Sequence, residues 1–187
     1  MDIGIKANRD LIGNLVIYIA NKCKPLHQTK LLKLLYLIDE EAVKEKGSPI
    51  TWLEYNIWRL GPVSKEIYFS KIEGCNLLES YFSFKQANKS FRIITKKEFD
   101  NSEFSNKDIE IIDKILSLHG NKTADELIKL THGKDSLWSK KVEEKKIKFS
   151  DTNTTSFETV DFTDLIKDDT FKQMSYFIAK EALSVNL

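Results

Sequence analysis

The chain has 187 residues, of which 41% are hydrophobic and 11% aromatic, enough to bury a core and too many for a disordered segment. Lysine and arginine total 29 against 28 aspartates and glutamates, a formal net charge of +1 that offers no global attraction for nucleic acid. No apolar run approaches the ~20 residues that span a bilayer. The opening MDIGIKANRD lacks the layout of a signal peptide, and Cys23 and Cys75 are too few for a disulfide framework. A cytoplasmic protein of one domain with reduced thiols is expected.

Residues 8–23 carry Leu11, Ile12, Leu15, Val16, Ile19 and Ala20 at helical spacing, which predicts an amphipathic helix that Pro25 ends. A second helix follows a short loop, with Thr29 as its expected cap, to make a helical hairpin. In it Leu31, Leu34, Leu35, Ile38 and Ala42 draw one apolar stripe, and Leu32, Tyr36 and Val43 draw another beside it. A helix apolar on two sides is one that others pack around. Gly47-Ser48-Pro49 stops it. Residues 50–60 then read as a strand, with Leu53, Tyr55 and Ile57 on one face and Trp52, Glu54, Asn56 and Trp58 on the other. Gly61-Pro62 reads as a rigid turn, and Ser64 as the cap of a short helix through Ile72 that Glu73-Gly74 stops. Residues 77–84 and 90–95 read as a hairpin, which the 50–60 strand can extend into a small antiparallel sheet.

Ser105, with an acid at Asp108, opens a helix carrying Ile109, Ile112 and Leu116 and closed at His119-Gly120. Thr123 and Glu126 repeat the capping-box pattern for a shorter helix that ends near His132-Gly133. Trp138 sits on a further helical turn. The run 140–148 mixes its lysines with Glu143 and Glu144 and reads as a solvated face rather than a nucleic-acid patch. Residues 149–163 are rich in Ser, Thr and Asp and read as a loop. A last helix over about 169–183 carries Phe171, Met174, Phe177 and Ile178. The expected fold class is α+β, predominantly helical, with a helical core around one central apolar helix and a small antiparallel sheet.

Two blocks carry a family resemblance. The first is Lys33-Leu34-Leu35-Tyr36, the strand end Trp58-Arg59-Leu60, then Gly61-Pro62-Val63 and Tyr68; the second is Glu126-Leu127-Ile128-Lys129-Leu130-Thr131-His132 followed by Trp138. In this order they resemble the Panacea (SocA-like) antitoxin domain, over about residues 8–141, with the loop and helix of 149–187 beyond. The resemblance implies one such domain, in which the central helix and the Gly-Pro turn are scaffold. The 77–95 hairpin and the 149–163 loop would be free to vary.

Candidate chemistry reads mostly as structure. Cys23 and His27 are four apart, but Pro25 breaks the helix that would align them, so no metal site is expected. His132, before a glycine, reads as a helix cap ahead of a general base or a partner contact, since no nucleophile elbow or phosphate loop accompanies it. Asp39, Glu40 and Glu41 splay around a helix and cannot share a metal, and Glu40 is placed to pair with Lys44. Asp39 abuts the apolar stripe and is expected to accept from the Tyr36 hydroxyl or the Trp58 N–H. Trp58 is expected to be covered and Trp52 exposed, so Trp52, with Asp39 and Arg59, makes the candidate partner-binding set.

No enzyme and no cofactor are expected. The resemblance implies an antitoxin, bacterial or phage-borne, that neutralises a cognate toxin from a neighbouring gene by direct stoichiometric binding. An adaptor delivering a bound protein to a protease, or a phage or mobile-element protein binding a host target, would use the same kind of surface. Neither membrane nor nucleic acid is expected as a partner.

Overall fold

The computed structural model describes residues 8–72, 74 and 77–185. The first seven residues, which hold most of the stretch read for a signal peptide, lie outside that range, as do Glu73 and Cys75. Helix α2 (Gln28–Lys46) is the element on which the others are laid. Leu31, Leu34, Leu35, Tyr36, Ile38, Ala42 and Val43 are fully buried on it, so both apolar stripes are covered. Helices α4 (Asn106–His119), α5 (Ala124–Thr131) and α7 (Thr170–Val185) pack on it, with strands β2 (Gly61–Val63) and β4 (Ser90–Thr95). The fold is α+β and mainly helical, as expected. Among the described residues no helix is long and apolar enough to cross a membrane.

The start of α2 differs from expectation. His27, not Thr29, holds the cap position, and its side chain makes no capping bond. His27 is instead bridged to Arg92 of β4, and its Nδ1 lies 2.8 Å from Ser90 Oγ. The extended backbone of that bridge releases the chain into the helix two residues early. At the other end Gly47 adopts φ +82, and a Cβ there would fall 2.8 Å from the Lys172 carbonyl oxygen, so glycine lets α7 dock against the helix end.

The largest correction concerns residues 50–60. Only β1 (Asn56–Trp58) is strand, paired antiparallel with β2 so that Ile57 faces Pro62 and Trp58 faces Gly61. Gly61-Pro62 is therefore strand, and Arg59-Leu60 makes the turn. Upstream, the N–H groups of Ile50 and Thr51 each donate to Asp39 Oδ1 at 2.8 Å. The Thr51 hydroxyl donates to Oδ2, and the Tyr55 hydroxyl donates to the same oxygen at 2.8 Å. Backbone donors committed to a helix carboxylate cannot feed a ladder, and Trp52 at φ 56 kinks the segment further. The partners of Asp39 are thus not the Tyr36 hydroxyl and the Trp58 N–H.

The other edge of β1 is occupied. Ile57 N–H donates to the Glu158 carbonyl at 2.8 Å, Arg59 N–H to Thr154 at 2.9 Å, and Val160 N–H to Tyr55 at 2.9 Å. The 149–163 segment is a loop in name only, because it runs along the hairpin and delivers Phe162 into the core between Tyr36 and Tyr55. The second hairpin, β3 (Phe82–Ala87) with β4, is a separate sheet, because β1 is flanked by β2 and this segment. Strand β3 begins later than expected, since residues 77–81 are turn.

Helix α1 (Arg9–Lys22) is capped by Asn8, whose Oδ1 accepts from Asp10 and Leu11 N–H. Both expected capping boxes form, Ser105 with Asp108 and Thr123 with Glu126. Helix α3 (Lys65–Phe69) stops short of Ile72, and Ser64 at its cap makes no side-chain bond. Glu40 pairs with Lys44 at 2.8 Å. On α7 the side chains of Phe171, Met174, Phe177 and Ile178 face outward, and Tyr176 turns in against Trp52.

Removing the Asp39 carboxylate strands two backbone N–H groups and two hydroxyls in the core. Asp39→Ala is expected to cost roughly 3–5 kcal/mol in urea unfolding, whereas Glu110→Ala at the exposed pair with Lys107 should cost under about 0.5 kcal/mol. An unchanged midpoint for Asp39→Ala would show that this carboxylate does not hold the 48–55 segment.

Candidate functional site

The two sequence blocks meet at the β1–β2 hairpin. Lys33 projects from α2 with 1% of its surface exposed, and its Nζ donates to the Pro62 carbonyl at 2.9 Å. Burial holds its ammonium far below the ordinary lysine range, at about 7. Gly61 beside it adopts φ +97, and a Cβ there would lie 2.8 Å from Thr131 Oγ1 and 3.0 Å from Lys33 Nζ. Any side chain would be strained and would collide with both, so the hairpin reaches the α2–α5 junction only through glycine. Thr131 is buried and donates its hydroxyl to the Ile128 carbonyl at 3.1 Å.

His132 ends α5, its N–H bonded to the Ile128 carbonyl at 3.0 Å, which makes it a helix cap through the backbone. The ring lies against the Trp138 indole at a centroid distance of 3.9 Å. Burial first, and then the Lys33 charge where that amine is protonated, lowers its pKa. Trp138 stands on α6 (Leu137–Glu144) and donates its Nε1–H to the Trp58 carbonyl at 2.8 Å. Trp58 in turn meets Tyr68 edge to face at 4.8 Å, and the Lys71 ammonium lies 3.7 Å from the Tyr68 ring centroid. Lys33, Gly61, Pro62, Thr131, His132, Trp138, Trp58 and Tyr68 are thus one connected group. Val63 is buried beside them, and Leu34 and Leu35 lie in the core below.

The expected partner-binding residues are placed differently. Asp39 has no exposed surface, and burial pushes its carboxyl upward against the pull of its four donors. It is an internal clasp, not a contact residue. Trp52 is half-buried against Tyr176, ring centroids 5.1 Å apart, because the kink at its own backbone turns it toward α7 rather than to solvent. Arg59 is already used: its guanidinium meets Asp151 at 2.6 Å and the Ser150 carbonyl at 3.2 Å, pinning the start of the 149–163 segment. Cys23 ends α1 as a buried free thiol whose pKa burial raises, and His27 is committed to Ser90. Among the described residues no three His, Cys, Asp or Glu side chains are grouped to hold a metal.

The sequence reading passed over Thr51 and Tyr55. A carboxylate abutting an apolar stripe demands compensating donors, and the hydroxyls of TWLEY are the nearest in sequence. Phe157, 94% exposed, was hidden in a polar stretch that reads as loop.

Neutralising Lys33 has a testable sign. Between pH 7 and 10 the unfolded chain keeps the lysine proton and the folded chain does not. Unfolding then takes up a proton, so this residue makes stability rise with pH, by up to roughly 1 kcal/mol per pH unit. Lys33→Met should remove that slope in urea unfolding at pH 7, 8 and 9. Parallel slopes for wild type and variant would show that the buried amine stays charged.

A family model described as antitoxin SocA-like, Panacea domain, matches residues 31–139, from the fourth residue of α2 to the third residue of α6. Neither the curated proteins nor the solved structures contain a match to the chain. All the residues of the two motif blocks, from Lys33 to Trp138, fall inside the matched span, and with them the contacts that join α2, the hairpin and α5. The chain belongs to the SocA-like, Panacea-domain antitoxin family.

Proposed function

We propose that this protein is an antitoxin of the cytoplasm that neutralises a cognate toxin, encoded by a neighbouring gene, by direct stoichiometric binding and without catalysis. The observation that carries this reading is the division of labour between the motif residues and the surface. Several motif residues hold one another: Lys33 Nζ donates to the Pro62 carbonyl, Trp138 Nε1 donates to the Trp58 carbonyl, and the His132 ring packs on the Trp138 face with its Nε2 buried and without a hydrogen-bond partner among the described residues. A side chain so engaged is poorly placed to attack or deprotonate a substrate. Large apolar side chains meanwhile stand outside, with Phe157 94% and Phe171 80% exposed. Aromatic side chains of this kind supply the anchors of protein interfaces.

A scaffold locked by buried contacts and surrounded by apolar anchors suits a binder whose partner varies. Family membership supports a toxin as that partner. Neutralisation by binding needs a whole interface, on the order of 1,600 Å² in total, and therefore one antitoxin for each toxin.

Titrating the chain against the product of the adjacent gene in a growth or translation assay tests the proposal. Protection should saturate near one antitoxin per toxin, and His132→Ala should still protect when folded. Full protection at a small fraction of that ratio, or its loss in a folded His132→Ala, would instead favour a catalytic protein. A fall in toxin level on co-expression would favour delivery to a protease.

A further inference from the structure

Resting on the antitoxin reading, a second question is which face takes the toxin and what that toxin presents. Where α1 and α3 approach the turn at residues 77–78, the surface opens into a cavity of about 260 Å³. Its floor is apolar: Ile12, Leu53, Ile67 and Leu78 are each at most 6% exposed. Phe69 and Leu77 line it as well and remain 42% and 62% exposed, so apolar surface spills from the cavity onto the face of the molecule. The volume falls below the roughly 300–1,000 Å³ of small-molecule sites, and it suits one or two side chains of a larger partner.

Charge then selects among partners. Arg9 and Lys65 lie on the rim. Arg9 is exposed, and among the described residues its side chain has neither a hydrogen bond nor an ion pair, although it stands in the first turn of α1, where the helix dipole disfavours a cation. Among the described residues Lys65 makes no ion pair; its ammonium lies 5.3 Å from the ring centroid of Phe157. Glu66 lies on the same rim and is not free within the chain. Among the described residues the rim's two cations, Arg9 and Lys65, have no anionic partner.

Phe157 enlarges this face. It is held by the bonds that its segment makes to β1 and by the Arg59–Asp151 pair, so it is presented rather than loose. Cavity, Phe69, Lys65 and Phe157 form one surface with apolar relief and positive charge.

We infer that this cavity and its Arg9–Lys65–Phe157 rim are the toxin-docking face, and that the toxin segment seated there presents one or two large apolar side chains flanked by carboxylates. Complementary carboxylates steer encounter and fix register, while the apolar insertion supplies the affinity. A nucleic acid would meet the cations but would leave the apolar floor unfilled.

Two measurements on the full chain test this. In the first, binding to the adjacent gene's product is compared for wild type, Arg9→Glu with Lys65→Glu, and Phe157→Ala, each confirmed folded by circular dichroism. Both variants should weaken binding at least tenfold, and the wild-type affinity should fall as salt rises. A Phe171→Ser, Phe177→Ser variant on α7 should bind within twofold of wild type. In the second, a blocked decapeptide of leucine, phenylalanine and glutamate is titrated into the labelled protein, followed by its lysine counterpart. The acidic peptide should shift the amide signals of Arg9, Lys65 and Phe69, and the basic one should not.

The docking face is wrong if both rim variants bind within twofold of wild type, if only the α7 variant loses binding, or if the two peptides shift the groove equally. It is also wrong if an oligonucleotide displaces the acidic peptide from the groove, or if light scattering finds a dimer that the rim variants dissociate. If wild type does not bind the neighbouring product, the antitoxin reading falls, and the peptide titration alone decides the groove.

Discussion

A single buried carboxylate governs how the chain leaves its central helix. Asp39 sits on the apolar stripe of α2 with no access to water, a placement that would be ruinous unless its oxygens were satisfied. It is satisfied by collecting two backbone N–H groups and two hydroxyls from the next sixteen residues. In doing so it winds the 48–55 segment back onto the helix it has just left. Everything downstream inherits that position. Tyr55 is aimed at Tyr36 and Phe162, and the β1–β2 hairpin begins where Pro62 can meet Lys33.

The motif residues form a second clasp over the first. Lys33 reaches one strand of the hairpin, the Trp138 indole reaches the other, and Gly61 lets Thr131 and Lys33 close from either side. Each contact joins segments far apart in the chain. That explains why short blocks separated by tens of residues are the recognisable part of the sequence: they are the two halves of one junction. It also explains why they carry little information about a partner, since their polar groups point inward.

Elements set by local rules were legible. The two stripes of α2, the Asn8 start of α1 and both capping boxes follow from spacing and side-chain chemistry within one or two turns. Residues 50–60 were not legible, because their alternation is genuine while their hydrogen bonds go to a side chain eleven and twelve positions back. Pro62 misled in a similar way. It looks like a turn residue, yet it sits in a strand opposite Ile57, whose N–H is taken by Glu158 on the other side, so a missing proline donor costs the ladder nothing. Of the proposed contact residues, Asp39 is buried, Trp52 is half-buried against Tyr176, and Arg59 pairs with the exposed Asp151, placements set by tertiary neighbours that alternation cannot reveal.

The pairing of residues 154–160 with β1 bears on where this protein can be cut. A three-residue hairpin strand with its outer groups unpaired is an adhesive edge, able to recruit a strand from another molecule. Here the chain seals that edge with its own later segment, and Phe162 plugs the gap between Tyr36 and Tyr55. Both lie beyond the last matched residue. A fragment trimmed to the recognisable family boundary would retain every motif residue and still carry an open edge over a vacated aromatic socket. Its failure would look like aggregation rather than like loss of a site.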